Sequence, residues 1–351
     1  MPGRAPSGQS RNDLTSVTYP KIELHVHLEG TVRPETFLEI ARRNGIALPA
    51  ETPEELQKLF SFTDLEHFIQ IWFLVTAALQ QADDFRQITV DYAEEASRRH
   101  GAVYIEGIFA PTIPARNGVE LDALFAGYCD GVQEAHERLG VEVRLTPDLN
   151  RTSPPEEAAD IVRRAIACRE RGVVAVGLGG VEGQAPPEQF ADAFRLAREG
   201  GLGSVPHAGE VVGPASIWGA LEALHADRIR HCIRSLEDPA LVRELAARGI
   251  VLDVCPTANV RVGASPSLDE HPLAQMVAAG LTCSLSTDDP AMFDTDLTSE
   301  YAEAISRGLS AHAFYEAGVA GALCEEETRA RLRAIGDAFD WSSVDGQAAV
   351  G

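Results

Sequence analysis

Short apolar, β-branched runs along the chain alternate with longer segments in which apolar residues recur every three to four positions. Eight runs read as strands: IELHVHL (22–28), VYIEGIFA (103–110), VEVRLTPDL (141–149), VVAVGLGG (173–180), GSVPHAGE (203–210), RIRHCI (228–233), VLDVCPTAN (251–259) and LTCSLSTDD (281–289). The intervening segments have helical period. Two of them, EEAADIVRRAIACRERG and DPALVRELAARG, end on Gly172 and Gly249, where glycine relieves the left-handed turn that stops a helix. Strand and helix alternating in this way predict an α/β fold, a (β/α)8 TIM barrel, with a doubly wound open sheet as the alternative topology.

The segment from 29 to 102 is too long for one crossover helix and predicts a helical insertion after strand 1 that covers the C-terminal face of the barrel. Within it Phe62, Leu65, Phe68 and Trp72 lie at near-helical spacing. Packing between helices is their plain reading. Contact with a bound ligand is the functional one, and Phe62 and Leu65 are the candidates for it.

In a barrel the chemistry stands at the carboxyl ends of the strands. That rule selects His25 and His27, Gly179 and Gly180, His207 and Glu210, His231, and the pair Asp288 and Asp289. His25 and His27, two apart on a strand, point to the same side. Singly these signals are weak: an HxH pair, HAGE and TDDP all occur as ordinary polar strand ends and turns. Jointly they bring three imidazoles and a carboxylate to one rim, a donor set that suits one Zn2+, with other divalent transition metals sharing the preference. Zinc in such a set lowers the pKa of water toward roughly 7. Glu210 is then placed to donate a proton, and His231 and Asp289 to orient the nucleophile.

Composition narrows the partners. The 351 residues carry a formal charge of -23, which repels phosphate backbones and argues against nucleic acid, while a 45% hydrophobic content is ample for a core. The partner expected is a small molecule; nothing in the sequence argues for a homo-oligomer. Six scattered cysteines without a CxxC pair fit a reducing, cytoplasmic setting. The longest greasy run, FIQIWFLVTAAL (68–79), is shorter than the roughly 18 apolar residues of a membrane span. Residues 1–19 read as a disordered leader without a signal-peptide core, 20–339 as a single domain and 340–351 as a loose tail.

ELHVHLEG, HAGE followed by GPASIWGAL, RIRHCI, VCPTANV, DEHP, and STDDPAMF with LTSEY resemble, in order from about residue 20 to 335, the adenosine deaminase family of the amidohydrolase superfamily. The resemblance implies a hydrolytic deaminase of purine metabolism. His25, His27, His207 and Asp288 would hold the zinc, and Glu210 would protonate purine N1. His231 and Asp289 would steer the water-derived nucleophile onto C6, and backbone at Gly180 would meet a purine nitrogen. Ammonia and a 6-oxopurine would result. Glu29 stands where many adenosine-specific members carry an Asp that meets a ribose hydroxyl; members acting on free adenine also show Glu there. GLGGVEG and SVPHAGE look more like members that process 6-aminodeoxyfutalosine, a nucleoside with a bulky 5′ extension. The substrate expected first is an adenine nucleoside, adenosine or a close analogue. Free adenine or 6-aminodeoxyfutalosine is the alternative; another metal-assisted hydrolysis or a non-catalytic ligand binder comes last. Arg230 and Cys232 replace residues that are small or acidic in most members. Arg230, flanking an inward histidine, is expected to face outward, and Cys232 to add bulk near the metal or, less readily, to serve as a soft ligand.

Overall fold

The computed structural model describes residues 18–60, 62 and 65–345, the side chains of 65 and 66 excepted. Its strands are β1 (Lys21–His27), β2 (Ala102–Phe109), β3 (Glu142–Asn150), β4 (Ala175–Gly179), β5 (Gly203–Ser204), β6 (His207–Ala208), β7 (Arg228–His231), β8 (Val251–Val254) and β9 (Thr282–Leu285). All pair in parallel, in the orders β1-β2-β3-β4-β5 and β6-β7-β8-β9. The predicted run 203–210 is split because Pro206 has no N–H to give the ladder. The ladder nonetheless continues across the break: Val205 N–H donates to Val176 at 3.0 Å, and Pro206 accepts from Arg230 N–H at 3.0 Å. At the other seam, Asp288 N–H donates to His25 C=O (3.1 Å) and His27 N–H to Asp288 C=O (2.7 Å), so the chain beyond β9 returns to β1. The architecture is the TIM barrel.

Between β1 and β2 run the helices Pro34–Arg43, Pro53–Leu59, Leu65–Ala78 and Ala82–His100, the predicted insertion. The predicted strand 251–259 ends early, at Val254, because Pro256 opens the helix Pro256–Arg261; the predicted strand 281–289 ends at Leu285, and Pro290 opens the helix Pro290–Phe293 just past the predicted run. Proline's fixed φ suits a first helical position, where its missing N–H costs nothing.

The barrel interior is charged. Arg228 is fully buried; its Nε lies 2.5 Å from Asp253 Oδ2 and its Nη2 2.7 Å from Glu106 Oε2. Arg230 is fully buried too, with Nη1 2.5 Å from Asp148 Oδ1 and Nη2 2.5 Å from Thr146 Oγ1. The expected outward Arg230 is therefore overturned. Arg228 and Arg230 share the inward face of β7, and strict alternation would send His231 out. It does not, because His231 (φ 63°) and Cys232 (φ 59°) take the left-handed backbone and turn the chain at the strand end. Room for the Arg230–Asp148 pair comes from β4: a Cβ at Gly177 would collide with both side chains, and one at Gly179 with Asp148.

Packed chain extends beyond both expected domain limits. Tyr19 is buried against Tyr301 and Trp341, with ring centroids 6.0 and 6.2 Å apart. Asp345 accepts from Ala311 N–H (2.7 Å) and Ser310 Oγ (2.6 Å). Aromatic burial outweighs the polar composition that marked these segments as loose. The remainder of the expected leader and tail, 1–17 and 346–351, lies outside the described residues. No helix among the described residues is long and apolar enough to cross a membrane.

Candidate active site

Four side chains converge at the carboxyl rim. His25 and His27 stand two apart at the end of β1, His207 opens β6, and Asp288 (φ 68°) is pinned to β1 by the seam hydrogen bonds. His207 Nε2 lies 3.2 Å from both His25 Nε2 and His27 Nε2, and Asp288 Oδ1 lies 3.5 and 3.3 Å from those two nitrogens. Neighbouring ligands about 2.0–2.1 Å from one zinc ion are roughly 3.3–3.4 Å apart, and each of these four separations fits that. No group of donors all within 4.8 Å of one another holds the four together, so the fit is between neighbours around a shared cation and not to a closed tetrahedron. Protonation fits as well. Burial pushes His25 well down and His27 down to about 4, leaving neutral imidazoles with lone pairs to give. Burial would raise Asp288, but His25, His231 and His27 outweigh it and hold the carboxylate charged. His207 donates from Nδ1 toward Leu178 C=O at 3.1 Å, with Asp148 Oδ2 at 3.3 Å, which turns its Nε2 lone pair to the cluster.

Around these four sit the groups that the sequence puts forward for proton handling. Glu210 Oε1 lies 3.6 Å from His231 Nε2 and accepts from Asn259 Nδ2 at 3.2 Å. Loss of water and the Asp288 carboxylate push Glu210 up to about 8. Its loop is held by Glu182, which accepts from the N–H groups of Gly209 (2.5 Å), Glu210 (3.1 Å), Val211 (2.8 Å) and Val212 (2.8 Å) and from Ser216 Oγ (2.6 Å). His231 Nε2 is also 3.8 Å from Asp288 Oδ2. Asp289 is buried, its Oδ1 lacks a hydrogen-bond partner, and burial next to Asp288 raises it far above the carboxylate range. A side chain at Gly30 would strike Asp289, so the glycine of HLEG makes its space.

The expected substrate contacts are distributed around this centre. Glu29 is buried; its Oε1 accepts from Ala110 N–H and Tyr128 Oη, both at 2.9 Å, while its Oε2 has no partner. Burial pushes Glu29 up to about 7. Gly180, at φ 91°, is exposed beyond β4. Phe62 packs against the stacked pair Phe68 and Phe293, at 5.2 and 5.7 Å, with the Arg261 guanidinium 4.8 Å from its ring. The Leu65 side chain lies outside the described residues. Among the described residues, Cys232 joins no cluster with metal-ligand spacing, whereas Cys255 does, with His25 and Asp288.

Five contributors escaped sequence reasoning: Asp148, Glu182, Asn259, His271 and the inward Arg230. Asp148 stands at the end of β3, where the rim rule selects residues; Asn259 and His271 lie inside the motifs VCPTANV and DEHP.

Residues 20–335 match the model of the family described as Adenosine deaminase. The chain is 50% identical over 332 residues to an aminodeoxyfutalosine deaminase of Acidothermus cellulolyticus, covering 93% of each chain. It is 39% identical over 278 residues, 78% of each chain, to an adenine deaminase of Cupriavidus necator. Among solved structures, an adenine deaminase from Arthrobacter aurescens superimposes with TM-score 0.86 at 32% identity, covering 91% of this chain and 98% of that one. An amidohydrolase from Burkholderia ambifaria with bound Zn gives TM-score 0.86 at 27% identity, covering 99% and 97%.

Proposed function

The chain belongs to the adenosine deaminase family of hydrolytic C–N deaminases, and we propose that its substrate is 6-aminodeoxyfutalosine, an adenine nucleoside with a bulky 5′ extension. The first sequence expectation, adenosine or a close analogue, thereby gives way to the alternative read from strands four and five. The observation that carries the extended substrate is at the mouth. Val181 and Val211, next to Gly180 and Glu210, are 39% and 41% exposed. Apolar side chains left in water beside a catalytic carboxyl suit a ligand that reaches beyond the purine and covers them. The 50% identity to a relative named for that substrate supports the same reading. Free adenine is the second reading, favoured by the relatives named adenine deaminase and by glutamate at position 29.

His25, His27, His207 and Asp288 are the residues that would hold a zinc ion, whose contribution when bound is to acidify water into a nucleophile at neutral pH. Glu210, kept protonated by its surroundings, donates to purine N1 and makes C6 electrophilic. His231 and Asp289 flank the approach to C6 and orient the incoming oxygen. Water adds its oxygen to C6, the C6–N bond breaks, and the amino group leaves as ammonia with a proton that the water gives up. Gly180 gives the purine edge close access to backbone, and Phe62 supports the apolar cover.

A substrate screen tests this. Purified enzyme with 6-aminodeoxyfutalosine, adenine, adenosine and other 5′-substituted adenosines should release ammonia fastest from the first. Faster turnover of free adenine would overturn the choice of substrate.

A further inference from the structure

Asn259 is fully buried and touches three groups, and the direction of every hydrogen bond around it is determined by one backbone amide. The Leu273 N–H can only donate, and it meets His271 Nδ1 at 3.2 Å. That nitrogen must therefore present a lone pair. Burial keeps His271 neutral, pushed down to about 4, so its single ring proton sits on Nε2. His271 Nε2 faces Asn259 Oδ1 at 3.2 Å, which sets the carboxamide oxygen on that side and its NH2 on the other. The NH2 group meets His231 Nδ1 at 3.1 Å and Glu210 Oε1 at 3.2 Å. A flipped carboxamide would press two donors together at His271 and strand an acceptor between two acceptors at the active site.

We propose that Asn259 and His271 are positioning residues that fix the hydrogen-bond polarity of the proton-handling pair: His231 bears its proton on Nε2, toward the reaction centre, and protonated Glu210 bears its proton on Oε2. The assignment rests on the deaminase roles of His231 and Glu210 given above. His231 Nδ1 accepts from Asn259, so the neutral ring has only Nε2 left to carry hydrogen, and that nitrogen points toward Glu210 and Asp288. His231 accordingly serves as a donor that holds an oxygen, rather than as the first acceptor of its proton. Glu210 Oε1 is likewise engaged as an acceptor, which leaves Oε2 as the oxygen that gives a proton to the purine. Both catalytic groups thus enter the reaction with their hydrogens already aimed, through a relay that begins at the Leu273 amide.

The test is long-range 1H–15N NMR of histidine-labelled enzyme, with the His231 ring assigned through a His231→Asn variant. The wild-type spectrum should show a bare Nδ1 and a protonated Nε2. A wild-type His231 carrying its proton on Nδ1, or with Nε2 bare, overturns the proposal and needs no variant to do so. In Asn259→Asp, where an acceptor replaces the NH2, His231 Nδ1 should gain a proton and kcat should fall about 100-fold, the low end for losing an acid–base function, with KM much less affected. His271→Gln, which can still accept from Leu273 and donate to Asn259, should keep the wild-type ring signals and most of kcat; His271→Phe should lose both. An unchanged ring signal in Asn259→Asp counts against the relay. Because the spectrum requires no turnover, an enzyme inactive on every aminopurine but protonated at Nε2 would refute the substrate reading and leave the relay intact.

Discussion

Replacing Arg230 by methionine removes one charge from a pair that water does not reach. Arg230 is fully buried and Asp148 is 4% exposed, with 2.5 Å between Nη1 and Oδ1. Burial alone would raise the Asp148 pKa, but Arg230 and His207 hold it below the ordinary carboxylate range, so the anion depends on its partner. Removing one member of a buried pair costs about 3–5 kcal/mol, because the other charge is left desolvated. At roughly 2.1 cal/mol/K per residue over the ordered chain, that corresponds to a Tm drop of about 4–7 °C. Metal retention should fall as well. The Asp148 carboxylate also lies 3.3 Å from His207 Nδ1, beside the bond that ring makes to Leu178, and losing such support of a ligand weakens metal affinity about 10–100-fold. Denaturant unfolding of Arg230→Met, with chelator competition on the same protein, measures both effects. The double variant Asp148→Asn/Arg230→Met, which leaves no orphaned charge, should recover more than half of the lost stability. A single-variant loss below about 1 kcal/mol with unchanged metal retention would refute the view that this pair supports the site.

Glu210→Gln should retain zinc and bind product normally while losing about 10²–10⁴ of kcat; retention of a tenth of the activity would remove Glu210 from the acid role. In wild type, kcat/KM should fall on the alkaline side as Glu210, pushed up to about 8, surrenders its proton, since the protonated acid is the competent form; a flat profile through that region contradicts this. Glu29→Asp withdraws the carboxylate from Ala110 and Tyr128 and should shift the ratio of kcat/KM among adenine, adenosine and 5′-extended nucleosides, so an unchanged ratio shows that Glu29 does not select. Chelation should abolish turnover and lower the melting temperature, with zinc restoring both; full activity in metal-free protein would end the metal reading.

The parts of this site that sequence made legible follow simple periodicities. His25 and His27 could be paired because strand alternation is strict there, and the rim rule collected His207, Glu210, His231, Asp288 and Asp289 without any knowledge of distances. Arg230 was misplaced because the rule assumes a regular strand, and two consecutive left-handed residues after it break the period. Asn259 was hidden for a related reason: Pro256 turns the expected strand into a helix, and the side chain's partners come from 28 and 49 residues away. Glu182 lies inside GLGGVEG, a segment weighed only as a whole, although its carboxylate gathers the amides of the Glu210 loop. Tyr19 and Trp341 show that one large ring can draw a polar segment into the core.

The seam between β1 and Asp288 links assembly to time as well as space. A nascent chain leaving the ribosome carries three imidazole donors once residue 207 is out, but the carboxylate that completes their set arrives only when residue 288 reaches the first strand. With the ligand set proposed above, cation capture is tied to completion of the ring, and a truncated product ending before that point would be born without a working centre.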